Sequence, residues 1–494
     1  APVPGDNLYL TMDLQLQKKA EESLKKGLEK IREGGVFESE WGDFPFKDKY
    51  ENAYSGALVA LDVKTNEVLA LANYPAYDLN LFSTGITTEN WNSLLNDSKN
   101  PLAPRPLYNI AMLTAIQPGS TFKMITALAA LEKGVNPNTT VYCAGTMKVG
   151  DRYVSCWIHN MFGGRHGSQT LYQAIMNSCN FYFYTTVLGE NLATHQKHTV
   201  KVDAVDIIDM AGKFGLDSKT GIEIDIPQEA SGGVPSIEGK KSGIRVYLRL
   251  FLEANVERYL NDGVVIDASM KNEIIEEIAS WIDRDELMTR GEVYEGLLAL
   301  NLNPEKTNDN YVPLVDIIKY SYLNQATWTV GDNLNISIGQ GNNAYTALQM
   351  ANYVSSIASG YRRNVSVIKE IKTYDGKNTD YIPLREAEKI ELSDDSYLDI
   401  VKHGMKLVSY DDNAKPFANF PVEVGSKTGT AENQGINPET GKTYDDFAWY
   451  VAFAPYDDPQ IAVACVLFEG GSGRYPIPIV REVIGEYLKI NEMP

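Results

Sequence analysis

Asn7-Leu-Tyr-Leu-Thr-Met12 alternates apolar and polar side chains and predicts a short strand. Asp13 then reads as the N-cap of a helix from Leu14 to Glu33, stopped by Gly34-Gly35. Two apolar stretches, Gly56–Asp62 and Glu67–Ala72, flank the turn Lys64-Thr-Asn66 and predict a hairpin. Pro118-Gly119 breaks the chain before Ser120. Thr121–Lys133 follows with the uncharged run Met124–Leu131, which predicts a buried helix closed by Gly134. Residues 235–330 mix charged and apolar positions at helical spacing, as in Lys271–Asp285 and Arg290–Leu300, and predict a mostly helical insertion. Asp446–Ala454 and Gln460–Phe468 predict two long strands around Pro455–Pro459, with a helix from Val480 to Lys489. Strands at both ends with helices between them predict one α/β domain whose sheet joins N- and C-terminal segments.

Composition narrows this. Of 494 residues, 44% are hydrophobic and 22% charged, a globular balance that excludes a mostly disordered chain. Lys plus Arg is 45 against 65 Asp plus Glu, a formal charge of -20. That argues against nucleic acid as a partner while leaving room for a local cationic pocket. No stretch approaches the ~18 apolar residues of a membrane span, and no signal peptide opens the chain. Residues 1–6 read as a linker or cloning junction, so a native anchor is expected to be absent from this chain. Four cysteines do not make a disulfide scaffold. Cys465 lies alone in an apolar run and reads as a small buried strand residue. Cys143, Cys156 and Cys179 share one window with His159 and His166.

Three short patterns carry candidate chemistry, and context selects among their copies. Ser-x-x-Lys occurs at Ser23, Ser120 and Ser366. Ser23 sits among Glu21, Glu22, Lys25 and Lys26 and reads as a solvated helix face, while Ser366 lies in the strand-like Val365–Ile371. Ser120 opens the apolar helix with Lys123 one turn later on the same face. A serine nucleophile needs a base within reach, and burial beside a second cation favours the neutral amine of lysine. The alternative is an N-cap serine with a lysine whose charge snorkels to solvent. Ser-x-Asn occurs at Ser98, in a polar loop, and at Ser178, where Ser178 and Asn180 are expected on one side and Cys179 on the other. Lys-Thr-Gly occurs at Lys219, joining a helix to a strand over 222–226 with Gly221 serving the turn, and at Lys427. The second copy precedes the long strands and predicts an edge strand lining a cleft. Gly429 would allow close approach of a ligand there, and Lys427, Thr428 and Thr430 are suited to a carboxylate.

The ordered set Ser120, Ser178, Lys427, separated by 58 and 249 residues, resembles the transpeptidase domain of penicillin-binding proteins. Leu10–Gln17, Gln117–Lys123, Thr220-Gly-Ile222, Ile338–Gly341 and Leu348-Gln349 extend the resemblance over nearly the whole chain. Cys179 stands where many relatives carry Asp. No glycosyltransferase segment precedes Leu10, so the monofunctional class B is the closer match. The resemblance implies a β-lactamase-like α/β fold over residues 7–494, an antiparallel sheet flanked by helices. It implies a D,D-transpeptidase in which Ser120 attacks a D-Ala-D-Ala stem peptide and Lys123 takes its proton. Ser178, held by Asn180, relays a proton to the leaving group. Backbone N–H groups of Ser120 and Thr430 form the oxyanion hole. Lys427, Thr428, Gly429 and Thr430 hold the substrate. β-Lactams would acylate Ser120 likewise, a membrane glycosyltransferase is an implied partner, and the extracytoplasmic face of a bacterial membrane is the implied location. A D,D-carboxypeptidase or a non-turnover β-lactam sensor are the alternatives; a β-lactamase lacks an obvious deacylating base here.

Cys143, Cys156, His166 and Cys179, spaced by 13, 10 and 13, make a candidate site for one structural Zn²⁺. This segment resembles the zinc site of elongation-type class B enzymes, and that resemblance favours His166 over His159. Cys179 would face the ion from behind the catalytic loop. A Cys143–Cys156 disulfide or free buried thiols are the alternatives.

Overall fold

The computed structural model describes residues 4–224, 227–383, 386–410 and 415–492. It separates into two compact units, Ala1–Val234 with Asn333–Pro494, and Pro235–Asp332.

The larger unit is built on a five-stranded antiparallel sheet. Its strands are β1 (Gly56–Asp62), β2 (Val68–Tyr74), β3 (Gly425–Ala431), β4 (Phe447–Ala454) and β5 (Ile461–Leu467), in spatial order β3-β4-β5-β1-β2. The chain thus closes on itself where β5 pairs with β1, Cys465 opposite Leu58. The continuous apolar sequences of β1, β4 and β5 follow from burial on both faces. One face carries Leu58, Ala60, Tyr450, Ala452, Val463 and Cys465 into a core with α1 (Leu14–Glu33) and the C-terminal helix Ile477–Ile490. Helix Ala347–Ser359, buried along nearly its whole length, packs against β1, β4 and β5 as well.

Local signals set the helix ends. The Asp13 carboxylate accepts from the Leu16 N–H and starts α1, and Gly34, at φ 77°, ends it. Asn7–Leu10 pairs with Ile368–Lys372 rather than with the main sheet. Ser23 is buried, not on the solvated helix face expected for it. Leu16, Ala20, Ser23, Leu24 and Ile31 form one buried stripe of α1, because three- and four-residue steps return to the same face. The strand expected over Val365–Ile371 starts only at Ile368, and Ser366 is buried with its hydroxyl donating to Glu223. At Lys219, Gly221 (φ 81°) turns the chain and its N–H donates to Glu229. No strand forms over 222–224, and the rest of that expected strand lies outside the described residues, as do residues 1–3 of the expected junction.

The second unit is helical. Ile237–Asn255, Ala268–Ser280 and Arg290–Ala299 enclose their own core of Leu248, Leu252, Ile278, Val293 and Leu297.

Candidate active site and metal centre

Gly119–Phe122 forms one tight 3-10 turn that leads into the buried helix α2 (Lys123–Glu132). The turn is gripped from three sides. The Thr121 hydroxyl donates to Pro118 O at 2.7 Å, the Trp449 indole N–H donates to Gln117 O at 2.8 Å, and Gly119 N–H donates to Gly339 O at 3.0 Å. Gly119 sits at φ 54°, and a Cβ there would meet Thr430 O at 2.5 Å. A Cβ on Gly429 would meet Pro118 O at 2.6 Å. The Ser120 turn and β3 therefore touch backbone to backbone, which only glycine permits at these two positions. Ser120 is half-buried, and its hydroxyl makes no hydrogen bond to another described residue.

Lys123 is fully buried, and its ammonium donates to Asn180 Oδ1 at 2.6 Å, Ser178 O at 2.8 Å and Ser178 Oγ at 3.2 Å. The Ser120 and Ser178 motifs are thus joined through Lys123, whose three acceptors all belong to the second. Ser178 occupies a left-handed turn (φ 50°) between helix Leu171–Met176 and helix Asn180–Leu188. That conformation lets one tripeptide offer a carbonyl, a hydroxyl and an amide to a single cation. Burial pushes Lys123 down to about 8, against the opposing pull of Cys156 and Cys179. Burial also drives Lys427 well below its ordinary value, and repulsion from Lys123 adds to this. The second-cation effect expected at Lys123 therefore falls on Lys427.

β3 is an edge strand, as expected. Its register places Lys427 opposite Val451 and Gly429 opposite Trp449, with Thr428 opposite Tyr450 and Thr430 opposite Ala448. Strand alternation sends Lys427 to one face and both threonines to the other. Lys427 is buried and Thr430 exposed, and the Thr430 hydroxyl accepts from Gly473 N–H at 3.0 Å. Gly473 and Trp449 carry no motif signal and escape a reading of sequence; Gln340, within the quoted Ile338–Gly341, donates to Thr430 O at 3.4 Å. Ser98 stays apart, its hydroxyl donating to Glu439.

Behind the Ser178 turn, Cys143, Cys156, His166 and Cys179 bring their ligand atoms within 4.8 Å of one another. His166 Nδ1 lies 3.5 Å from Cys156 Sγ and 3.8 Å from Cys143 Sγ, and Cys156 Sγ lies 4.0 Å from Cys179 Sγ. About a tetrahedral Zn²⁺, sulfurs stand roughly 3.8 Å apart and a sulfur and a nitrogen roughly 3.6 Å apart. The cage fits that ion. All four cysteines are free thiols, so the Cys143–Cys156 disulfide alternative is set aside. Hydrogen bonds from Cys143 and Cys179 lower the Cys156 thiol, burial raises Cys179, and Cys143 and Cys156 outweigh the effect of burial to bring His166 up to about 9. His159 lies outside the cluster.

The family model of the penicillin binding protein transpeptidase domain matches residues 56–246 and 314–485. The chain belongs to that family. Its fold is the transpeptidase fold, an antiparallel sheet flanked by helices. Among relatives, the peptidoglycan D,D-transpeptidase MrdA of Escherichia coli K12 is 24% identical over 99% of this chain. The chain spans 58% of that relative's length. A chain of a peptidoglycan synthase complex, solved for its coordination of polymerization and crosslinking, is 27% identical with a TM-score of 0.65, covering 99% of this chain and 64% of that one. Penicillin-binding protein A of M. tuberculosis, solved as an imipenem acyl-enzyme, has a TM-score of 0.62 at 21% identity, covering 98% of this chain and 80% of that one. The family match omits residues 247–313, which lie within the helical unit.

Proposed function

We propose that the chain is the catalytic part of an elongation-type class B penicillin-binding protein, a D,D-transpeptidase over residues 7–494 with a helical insertion at 235–330. The observation that carries this reading is the buried Lys123 ammonium, held by Ser178 and Asn180 beside the serine turn and the Lys427 strand. The names of the relatives support it. In this reading Ser120 Oγ attacks the carbonyl carbon of the penultimate D-alanine as Lys123, in its neutral form, accepts the hydroxyl proton. The N–H groups of Ser120 and Thr430 stabilise the oxyanion, worth ~10²–10³ in rate per donor. The C–N bond breaks, and terminal D-alanine leaves with a proton relayed through Ser178 Oγ, which Asn180 positions by fixing Lys123. Lys427, Thr428 and Thr430 hold the terminal carboxylate across the Gly429 backbone. A second stem peptide's amine then attacks the ester, forms the cross-link and returns the proton to Ser120. β-Lactams enter through the same first step.

The Cys143, Cys156, His166 and Cys179 cage would hold one structural Zn²⁺, fixing Cys179 and hence the flanking Ser178 and Asn180. No described helix is long and apolar enough to cross a membrane. We place the enzyme at the extracytoplasmic face of a bacterial membrane, working beside a membrane glycosyltransferase.

Mass spectrometry after incubation with a fluorescent penicillin should locate one adduct on Ser120, lost in Ser120→Ala. An adduct that persists in that variant overturns the assignment. With two stem peptides a cross-linked dimer is expected; free D-alanine alone would mean a carboxypeptidase, and no turnover a sensor.

A further inference from the structure

The helical unit contains a groove that the transpeptidase chemistry does not use. It lies between helix Ala268–Ser280 and helix Arg290–Ala299 and has a volume of about 810 Å³. Its floor is apolar, with Met270, Ile274, Trp281 and Met288. The facing helix presents Gly291, Gly296 and Ala299, and a Cβ on Gly296 would lie 2.8 Å from the Trp281 ring. Gly296 thus lets the Trp281 ring pack against this wall, while a Cβ on Gly291 would meet only Thr289 Oγ1 at 3.9 Å, so the wall stays open there. Of the floor residues, Met270 is 44% exposed, an unbranched and adaptable side chain that a ligand can reach, while Ile274, Trp281 and Met288 are buried.

The rim is acidic. Glu273, Glu277, Glu292 and Glu295 border the groove, against one cation, Arg284. Glu277 accepts from the Trp281 indole N–H and Glu292 caps the helix at Thr289. Glu273 and Glu295 have no cationic partner among the described residues. Met270, Glu273, Ile274, Glu277 and Trp281 follow three- and four-residue steps, so apolar and acidic positions run together along about 16 Å of helix, some three turns.

We propose that this groove docks a basic amphipathic helix of a partner protein. Apolar side chains at i, i+3, i+4 and i+7 would enter over Met270, Ile274 and Trp281, and flanking Lys or Arg would pair with Glu273 and Glu295. Charge complementarity selects this occupant: apolar anchoring alone would serve a second copy of the chain equally well, but a second copy would bring its own four glutamates to the rim. The groove lies wholly in the 247–313 segment that the family model omits, so it is an addition to the transpeptidase rather than part of its site.

The test uses the full chain and a synthetic helical peptide of Leu at those positions and Lys elsewhere, followed by titration calorimetry. The expected result is 1:1 binding, weakened at least tenfold by Glu273→Lys with Glu295→Lys and likewise by Met270→Asp. A control pair on other surfaces, Glu238→Lys with Asp262→Lys, should leave affinity within twofold, and the Glu-for-Lys peptide should not bind. Melting temperatures of all variants report folding separately. Equal weakening by the control pair would mean bulk electrostatics and would overturn the groove assignment. So would binding unchanged in Met270→Asp, or self-association of the wild type in sedimentation that Met270→Asp abolishes.

Discussion

Replacing Gly429 by alanine tests the backbone contact on which the site is built. The added Cβ would stand 2.6 Å from Pro118 O, 2.9 Å from Thr121 Cγ2 and 3.1 Å from Trp449 Cβ. Ordinary contact needs about 3.4 Å or more, so the strand and the serine turn must separate by roughly 0.8 Å. Neither neighbour can yield alone. Pro118 O already accepts from the Thr121 hydroxyl, and Trp449 is fully buried in the sheet. Overpacking of this kind costs about 1–3 kcal/mol of stability. The larger effect is on chemistry. Misplacing reacting groups by ~1 Å can cost ~10² in rate, so Gly429→Ala should slow acylation by a fluorescent penicillin roughly 10- to 100-fold. Stopped-flow fluorescence measures the rate, and thermal melting verifies that the variant is folded. A folded Gly429→Ala that acylates within threefold of wild type would refute the idea that β3 and the serine turn are held by that contact.

Burial, reinforced by Asp445, raises Glu469 to about 7. The folded state therefore binds this proton more tightly than the unfolded chain, and stability falls as pH rises from the ordinary glutamate value through about 7. The melting temperature should drop across that window, and Glu469→Gln should flatten the drop; identical profiles would count against it. Trp449→Phe removes the 2.8 Å hydrogen bond to Gln117 O and leaves a carbonyl unsatisfied, at about 1–3 kcal/mol in urea denaturation. Elemental analysis of protein purified without chelator should find close to one zinc per chain, with Cys156→Ser reducing it; less than half an equivalent in the wild type would contradict the cage.

Sequence alone determined the long strands of the main sheet and the limits of α1. Apolar runs such as Ile461–Leu467 have one stable fate, burial on both faces of a sheet, and α1 carries its own cap at Asp13 and stop at Gly34. The order of the three motifs and the Pro118-Gly119 break also singled out Ser120 from three Ser-x-x-Lys copies. Ser23 was legible too, but its charged neighbours hid the stripe it shares with Ala20 and Leu24. Tertiary structure decided the rest. That Lys123 turns to Ser178 and Asn180, that its charge weighs on Lys427, and that Gly473 and Gln340 complete the β3 edge depend on segments distant along the chain. Spacing fixes which side chains share a helix or strand face. Distances across such contacts depend on how whole elements pack, which no local pattern encodes.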